Sequence, residues 1–176
     1  MGPEATGTAL SNSQATAGGQ VPVVRSWQVP LGFSLAFGGQ NYTSIYVNSY
    51  GSITFGAAEA AYTLANRDPW PDATMLSNAA AIDSLAAAGQ EKMLAVFWGM
   101  WDSSLSTVRV ATNADDVTVT WQVARSNRYV LPLGVNIFQA KLRRTGAIEL
   151  SYKSVPERDG ITGLFTGQPT AAVTLD

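Results

Sequence analysis

The chain has 176 residues, with 11 basic and 13 acidic side chains, a formal net charge of −2, and neither histidine nor cysteine. Its length fits one domain with a real core, and with 14% charged and 46% hydrophobic residues it lacks the composition of a disordered chain. The charge balance gives no reason to expect nucleic acid, missing cysteines remove disulfides, thiolate metal sites and cysteine nucleophiles, and missing histidines remove the commonest general base and transition-metal ligand.

Residues 1–22 begin MGPEATGTALSNSQATAGGQ, small and polar without hydrophobic periodicity, and read as a flexible N-terminal arm. The stretch has no basic start followed by an apolar run, so it does not read as a secretory signal. No segment approaches the roughly 18 apolar residues of a membrane span, and no membrane insertion is expected. Residues 23–176 read as a single β-sandwich domain.

From Val23 the texture alternates, as half-buried strands do. Strands are predicted at 31–37, where Phe33, Leu35 and Phe37 alternate, and at 43–48 and 51–55, with Gly38-Gly39 and Tyr50-Gly51 marking tight turns. Further strands are predicted at 93–98 and 106–111. DVTVTWQVA at 116–124 is the clearest, with Val117, Val119, Trp121 and Val123 on one face; Asn113 to Asp115 supply the turn before it. Residues 136–152 predict a hairpin: Phe138, Ala140 and Leu142 share a face, Thr145-Gly146 turn the chain, and Ile148, Leu150 and Tyr152 continue the apolar face. A last strand falls at 160–166. Turn signals at this short spacing favour an all-β, antiparallel sandwich over a parallel α/β sheet.

Residues 57–92 break the pattern. NRDPWPDATM is irregular and proline-rich, and the alanine-rich LSNAAAIDSLAAAG that follows predicts one short helical insertion ending at Gly89. Such an insertion serves either as a cap over one end of a sandwich or as a binding loop. Trp70, held between Pro69 and Pro71, is a candidate partner contact together with Asp68 and Asp72. Trp101 and Trp98, in AVFWGMWDSS, read first as core, and Trp101 also as a candidate contact.

The sequence contains no phosphate-binding GxxxxGK[ST] loop, no GxGxxG after a strand and no GxSxG elbow, and a Ser–His–Asp triad is impossible without histidine. Carboxylate-only catalysis would draw on Asp68, Asp72, Asp83 and Asp102, yet acids in loops are ordinarily just solvated. Calcium needs six to eight oxygens, and Asp115-Asp116 and Glu157-Arg158-Asp159-Gly160 read more simply as turns. Asn41-Tyr42-Thr43 matches the N-glycosylation pattern, a short string that arises often by chance. No enzyme activity, cofactor or metal is expected.

The string LGFSLAFGGQNYTSIYVNSYGSITFG at 31–56 resembles the opening hairpins of the nidogen-like extracellular domains: an aromatic strand, a glycine turn, Y-(T/S)-x-(I/V)-Y-V, an asparagine–glycine turn and (I/L)-T-F-G. Ala95 to Trp98, Val117 to Trp121, Asn136 to Ala140, Thr145 to Tyr152 and Gly160 to Gly167 resemble later strands of those domains in the same order. Members commonly carry an acid soon after the F-W pair; here Gly99 and Met100 stand before Asp102, so no ion role is carried over. The resemblance implies a nidogen-like or jelly-roll-like β-sandwich used in adhesion or assembly. YVNSYGSITFG is also similar to strings in virion structural proteins of marine bacteriophages. Together these imply a non-enzymatic virion component, a capsid-decoration or tail-associated protein, which would begin at its own methionine; the residues alone leave equally open that Met1 replaces part of a longer precursor or heads a domain cut from a larger protein. Its partners would be neighbouring virion subunits, or a host-surface or matrix protein or glycan, and it would form homo-oligomers by general symmetry. The alternative is an adhesion or carbohydrate-binding module from a secreted or cell-surface bacterial protein.

Overall fold

The computed structural model describes residues 7–10, 16–17, 25–58, 92–99, 101, 105–124, 134–157 and 160–166. Among them there are strands and turns and no helix. The strands are β1 (Thr8–Ala9), β2 (Thr16–Ala17), β3 (Arg25–Phe37), β4 (Gln40–Asn48), β5 (Ser52–Phe55), β6 (Lys92–Trp98), β7 (Thr107–Thr112), β8 (Asp116–Val123), β9 (Asn136–Arg143), β10 (Ile148–Ser154) and β11 (Ile161–Phe165). They form two antiparallel sheets, one of five strands ordered β1-β7-β8-β9-β10 and one of six ordered β11-β6-β5-β4-β3-β2. Each sheet is a meander with extra strands at its margins, and the all-β sandwich expected from the alternation is the architecture observed.

Period-two patterning explains the layering. Along β3 the buried residues are Trp27, Val29, Leu31, Phe33, Leu35 and Phe37, with Gln28, Pro30, Gly32, Ser34 and Ala36 exposed between them. On the five-stranded sheet Val117, Val119 and Trp121 of β8 lie opposite Leu142, Ala140 and Phe138 of β9, and all six side chains are buried. The alternation ceases in the middle of the larger sheet, where all of β5 and Met93 to Trp98 of β6 are buried, as in strands covered on both faces.

The turns follow their residues. Gly38 and Gly39 both take positive φ, 53° and 75°, the two-residue connection whose twist matches that of a hairpin. The β7–β8 turn is held by Asn113, whose side-chain oxygen accepts from the Asp115 and Asp116 amides and whose amide nitrogen donates to the Asp116 carboxylate. A three-residue loop joins β4 to β5 and a four-residue loop joins β9 to β10, and a glycine in each, Gly51 or Gly146, has φ +87°. At the base of the second hairpin the Arg143 guanidinium donates to Glu149 at 2.6 Å, with both side chains about half exposed.

Two expectations meet a different outcome. β3 begins at Arg25, six residues before the predicted start at 31, because Pro30 does not end it: among the described residues β3 is paired only at Arg25 and Ser26 on the side away from β4, and an edge strand tolerates a residue without an amide hydrogen. The stretch read as a flexible arm contributes β1 and β2, which pair with β7 and β3. The helical insertion, apart from residues 57, 58 and 92, lies outside the described residues.

Glu149 is held below the ordinary carboxyl value of 4.5, first by its hydrogen bond from Arg143. A lowered folded-state value means the pair stabilises the fold above that pH and that the contribution is lost as pH falls through the folded value. Thermal melts of Glu149→Gln against the unaltered chain should therefore show a small deficit at pH 7 that closes in strong acid; a deficit unchanged at pH 2 would contradict this origin. Gly51→Ala tests the turn. Its Cβ would lie 2.4 Å from the Phe97 carbonyl oxygen at a φ that L residues avoid, so urea unfolding should show a loss of about 2–4 kcal/mol.

Candidate functional site

The most heavily bonded place among the described residues is the loop from Asn48 to Ser52, every residue of which is buried. Three of its backbone carbonyls each accept two hydrogen bonds. The Asn48 carbonyl receives the Gly51 amide at 3.2 Å and the Trp121 indole N–H at 2.8 Å. That of Tyr50 receives the Gly99 amide at 3.0 Å and the Trp101 indole N–H at 3.1 Å. The Gly51 carbonyl receives the amides of Val96 and Phe97, at 3.0 and 3.2 Å. Ser49 closes the ring by exchanging bonds with Arg25: its amide donates to the Arg25 carbonyl and its hydroxyl accepts from the Arg25 amide.

Side chains on the loop are equally engaged. The Ser26 hydroxyl donates to Asn48 Oδ1 at 2.6 Å, and Asn48 Nδ2 donates to the Ser52 and Thr54 hydroxyls at 3.1 and 3.3 Å. The Thr54 hydroxyl in turn donates a hydrogen bond to the Ala57 carbonyl at 2.6 Å. Buried amides and hydroxyls cost free energy unless partnered, and here each finds a partner within its own chain. Around the loop Phe138 stacks on Trp121 at 5.4 Å and meets Phe97 edge-on at 5.5 Å, while Phe97 stacks on Trp101.

Two amides donating to the Gly51 carbonyl mark a β-bulge at Val96 and Phe97, and on the opposite side of β6 the register to β11 slips between Ile161 and Gly163. The Val96 carbonyl accepts the hydroxyls of Tyr152 from β10 and Thr162 from β11, at 2.7 and 2.9 Å. This bonds the two sheets along one side of the sandwich. Phe97 is turned towards Gly160, where a Cβ would come within 2.2 Å of its ring.

Of the four candidate contact residues, Trp101 is the one described. It is 2% exposed, with its indole N–H committed to Tyr50, so it takes the core role and presents no surface to a partner. Trp70, Asp68 and Asp72 lie outside the described residues, as do Asp83 and Asp102. Asp115 and Asp116 lie in the exposed Asn113 turn, with Arg144 3.9 Å from Asp115. Glu157 is buried beside Asn136, whose side-chain oxygen accepts its amide at 3.2 Å. No group of three acids placed to hold a metal ion occurs among the described residues. Asn41 is exposed on β4.

Asn48, Tyr152 and Gly160 do structural work that patterning did not disclose. Asn48 is polar at a strand end, a position that reads as solvated, and only the cross-sheet geometry shows it fully buried.

Among the described residues, a shallow cleft lies on the other side of the sandwich. Between the β1–β7 margin and β3 runs a cleft of about 340 Å³ lined by Thr8, Leu10, Trp27, Val29, Pro30 and Val110. The end of the larger sheet carries a second aromatic group: Phe37 stacks on Phe55 at 4.0 Å, and the Lys92 ammonium donates to the Gly38 carbonyl while lying 5.9 Å from the Tyr42 ring centre.

A family model described as NIDO related matches residues 4–175 of the chain. No curated protein and no solved structure matches.

The loop's bonds rank the cost of removing donors. Trp121→Phe keeps a ring against Phe138 but leaves the Asn48 carbonyl only its Gly51 bond and opens a void where a fully buried indole stood, and chemical denaturation should show a loss of about 2 kcal/mol or more. Tyr152→Phe leaves the Val96 carbonyl its bond from Thr162 and should lose only about 0.5–1 kcal/mol. The reverse order would refute the assignment of the loop as the anchor.

Proposed function

The chain belongs to the NIDO-related family, and from that premise we propose that it is a non-enzymatic structural part of a bacteriophage virion. In this reading it is a capsid-decoration or tail-associated protein that meets neighbouring subunits or a host surface through its sheet margins and end loops. The observation that carries the reading is where the polar groups of the interior go. Ser26, Asn48, Ser49, Ser52, Thr54 and Asn136 are buried, and each bonds to the chain's own groups. A site built for catalysis aims such groups at an opening, where a reacting atom can approach them. These hold a loop and two sheets in place. The described ion pairs, Arg143–Glu149 and Arg144–Asp115, stand at the surface. A stiff interior with solvated margins suits a part whose task is to present contacts, and the likeness of Tyr46 to Gly56 to strings in phage virion proteins supports a virion over a cell-surface matrix.

Mass spectrometry of density-purified phage particles from the cells that carry the gene tests the proposal. Peptides of this chain should appear at a copy number comparable with the other structural proteins. Their absence from particles, with the chain found instead in the secreted or cell-surface fraction and binding on a glycan array, would overturn it in favour of an adhesion or carbohydrate-binding module.

A further inference from the structure

β10 is the last strand of the five-stranded sheet, paired with β9 and with no strand beyond it among the described residues. β11 holds the same place in the larger sheet, and the Tyr152 and Thr162 hydroxyls, 3.4 Å apart, bring the two edges side by side. Solvent reaches this side of the sandwich. Tyr152 is 44% and Leu164 59% exposed, and Glu149, Lys153 and Ser154 are exposed as well.

Which backbone groups face outward follows from the hairpin. The Arg143 amide donates to the Ala147 carbonyl at 2.9 Å, and in the register that continues from it the bonded pairs alternate. Glu149 and Ser151 therefore direct their N–H and C=O groups at β9, while Ile148, Leu150 and Tyr152 turn theirs to the open edge.

The side chains of this edge read Ile-Glu-Leu-Ser-Tyr-Lys-Ser from 148 to 154. A lysine on an edge ordinarily discourages a further strand. Here an acid stands four residues before it. Glu149 and Ser151 lie opposite Lys141 and Gln139, and by alternation Lys153 follows them on the same face, as the extra residue of the bulge that ends the regular pairing. Lys153 has no ion-pair partner among the described residues. Glu149 receives Arg143 through Oε1, and its second oxygen has no partner among them either.

We propose that β10 pairs antiparallel with β10 of a second copy about a twofold axis at Ser151, joining the two five-stranded sheets into one. The occupant is argued from charge complementarity. In this register Glu149 of each copy stands opposite Lys153 of the other, and Leu150 opposite the exposed Tyr152, whose outward backbone groups exchange hydrogen bonds with it. A register centred on Leu150 sets Glu149 against Ser151 and Lys153 against Ala147; one centred on Tyr152 sets Lys153 against Ser151 and Glu149 against Val155. Only the pairing about Ser151 answers both charges, and a twofold contact answers them twice. The inference rests on the reading of the domain as a part of an assembly, and it names one contact.

The chain has no cysteine, so an introduced thiol reports the pairing directly. About the axis Ser151 faces its own counterpart in a non-hydrogen-bonded pair, about 4.5 Å away at Cα and within disulfide reach. Oxidised Ser151→Cys should form a covalent dimer whose yield rises with concentration. Glu149→Cys alone should form none, its counterpart lying about 13 Å along the strand, whereas Glu149→Cys mixed with Lys153→Cys should link. Charge exchange gives a second readout. In sedimentation, Glu149→Lys alone or Lys153→Glu alone should weaken the dimer about tenfold, by opposing like charges at both ends. The two variants mixed should recover it, since the introduced lysine then meets the introduced glutamate and the native pair reforms. That recovery separates the contact from the loss of the Arg143–Glu149 pair within one chain. A protein that is monomeric at every concentration overturns the proposal, as does a dimer that Ser151→Cys fails to link. Either result leaves the assembly reading standing where the chain is found in phage particles; a monomer that is also missing from particles overturns both.

Discussion

A turn buried between two sheets must have every backbone carbonyl answered, and the loop Asn48–Ser52 is organised around that demand. An unpartnered carbonyl in a dry interior costs about 1–3 kcal/mol, and the loop places several of them there. Their donors come from separate parts of the chain: Trp121 from β8, Val96 and Phe97 from β6, and Gly99 and Trp101 from the residues that follow it. Arg25, at the start of β3, holds Ser49. Each donor reaches the loop only if its own strand is correctly placed. The loop thus sets the position of β8 across the sandwich, the depth of β6 and the start of β3 together. Gly51 is the geometric condition, since its positive φ closes the turn and its missing Cβ lets the Phe97 carbonyl approach.

The bulge in β6 follows from the same loop. With two amides sharing the Gly51 carbonyl, β6 gains a residue relative to its neighbours, and side chains beyond the bulge are re-aimed. Phe97 turns onto Phe138 and Trp101 and needs the bare backbone of Gly160 to do so. The Val96 carbonyl becomes available to the hydroxyls of Tyr152 and Thr162. One local irregularity therefore joins the interior aromatic group to the β10–β11 side of the sandwich, where the two sheets are bonded to each other by side chains as well as packed.

Much of this frame is legible in the sequence because it depends on period and on turn chemistry. β8 and the β9–β10 hairpin alternate cleanly, and the Gly38-Gly39, Asn113 and Thr145-Gly146 turns use residues suited to the backbone they adopt. What escapes depends on partners far along the chain. Asn48 looks like a solvated strand end until Ser26, Ser52 and Thr54 surround it. Trp101 has two plausible fates from composition alone, and the Tyr50 carbonyl decides between them. Pro30 lacks an amide hydrogen, and it stands within β3 because its side away from β4 carries no strand pairing among the described residues. β1 and β2 are two residues each, too short to carry any period.

These observations divide the sandwich into two unlike sides. At β10 and β11 the sheets are tied by Tyr152 and Thr162 to the Val96 carbonyl, which stands in the bulge whose amides bond the buried loop. At β7 and β3 the margins are met, among the described residues, by two strands of two residues each, beside an open cleft. A disturbance on the first side is transmitted to the core, whereas one on the second breaks a few exposed backbone bonds and leaves the aromatic interior intact. Among the described residues, the small marginal pairings thus stand away from the loop that holds the sandwich together.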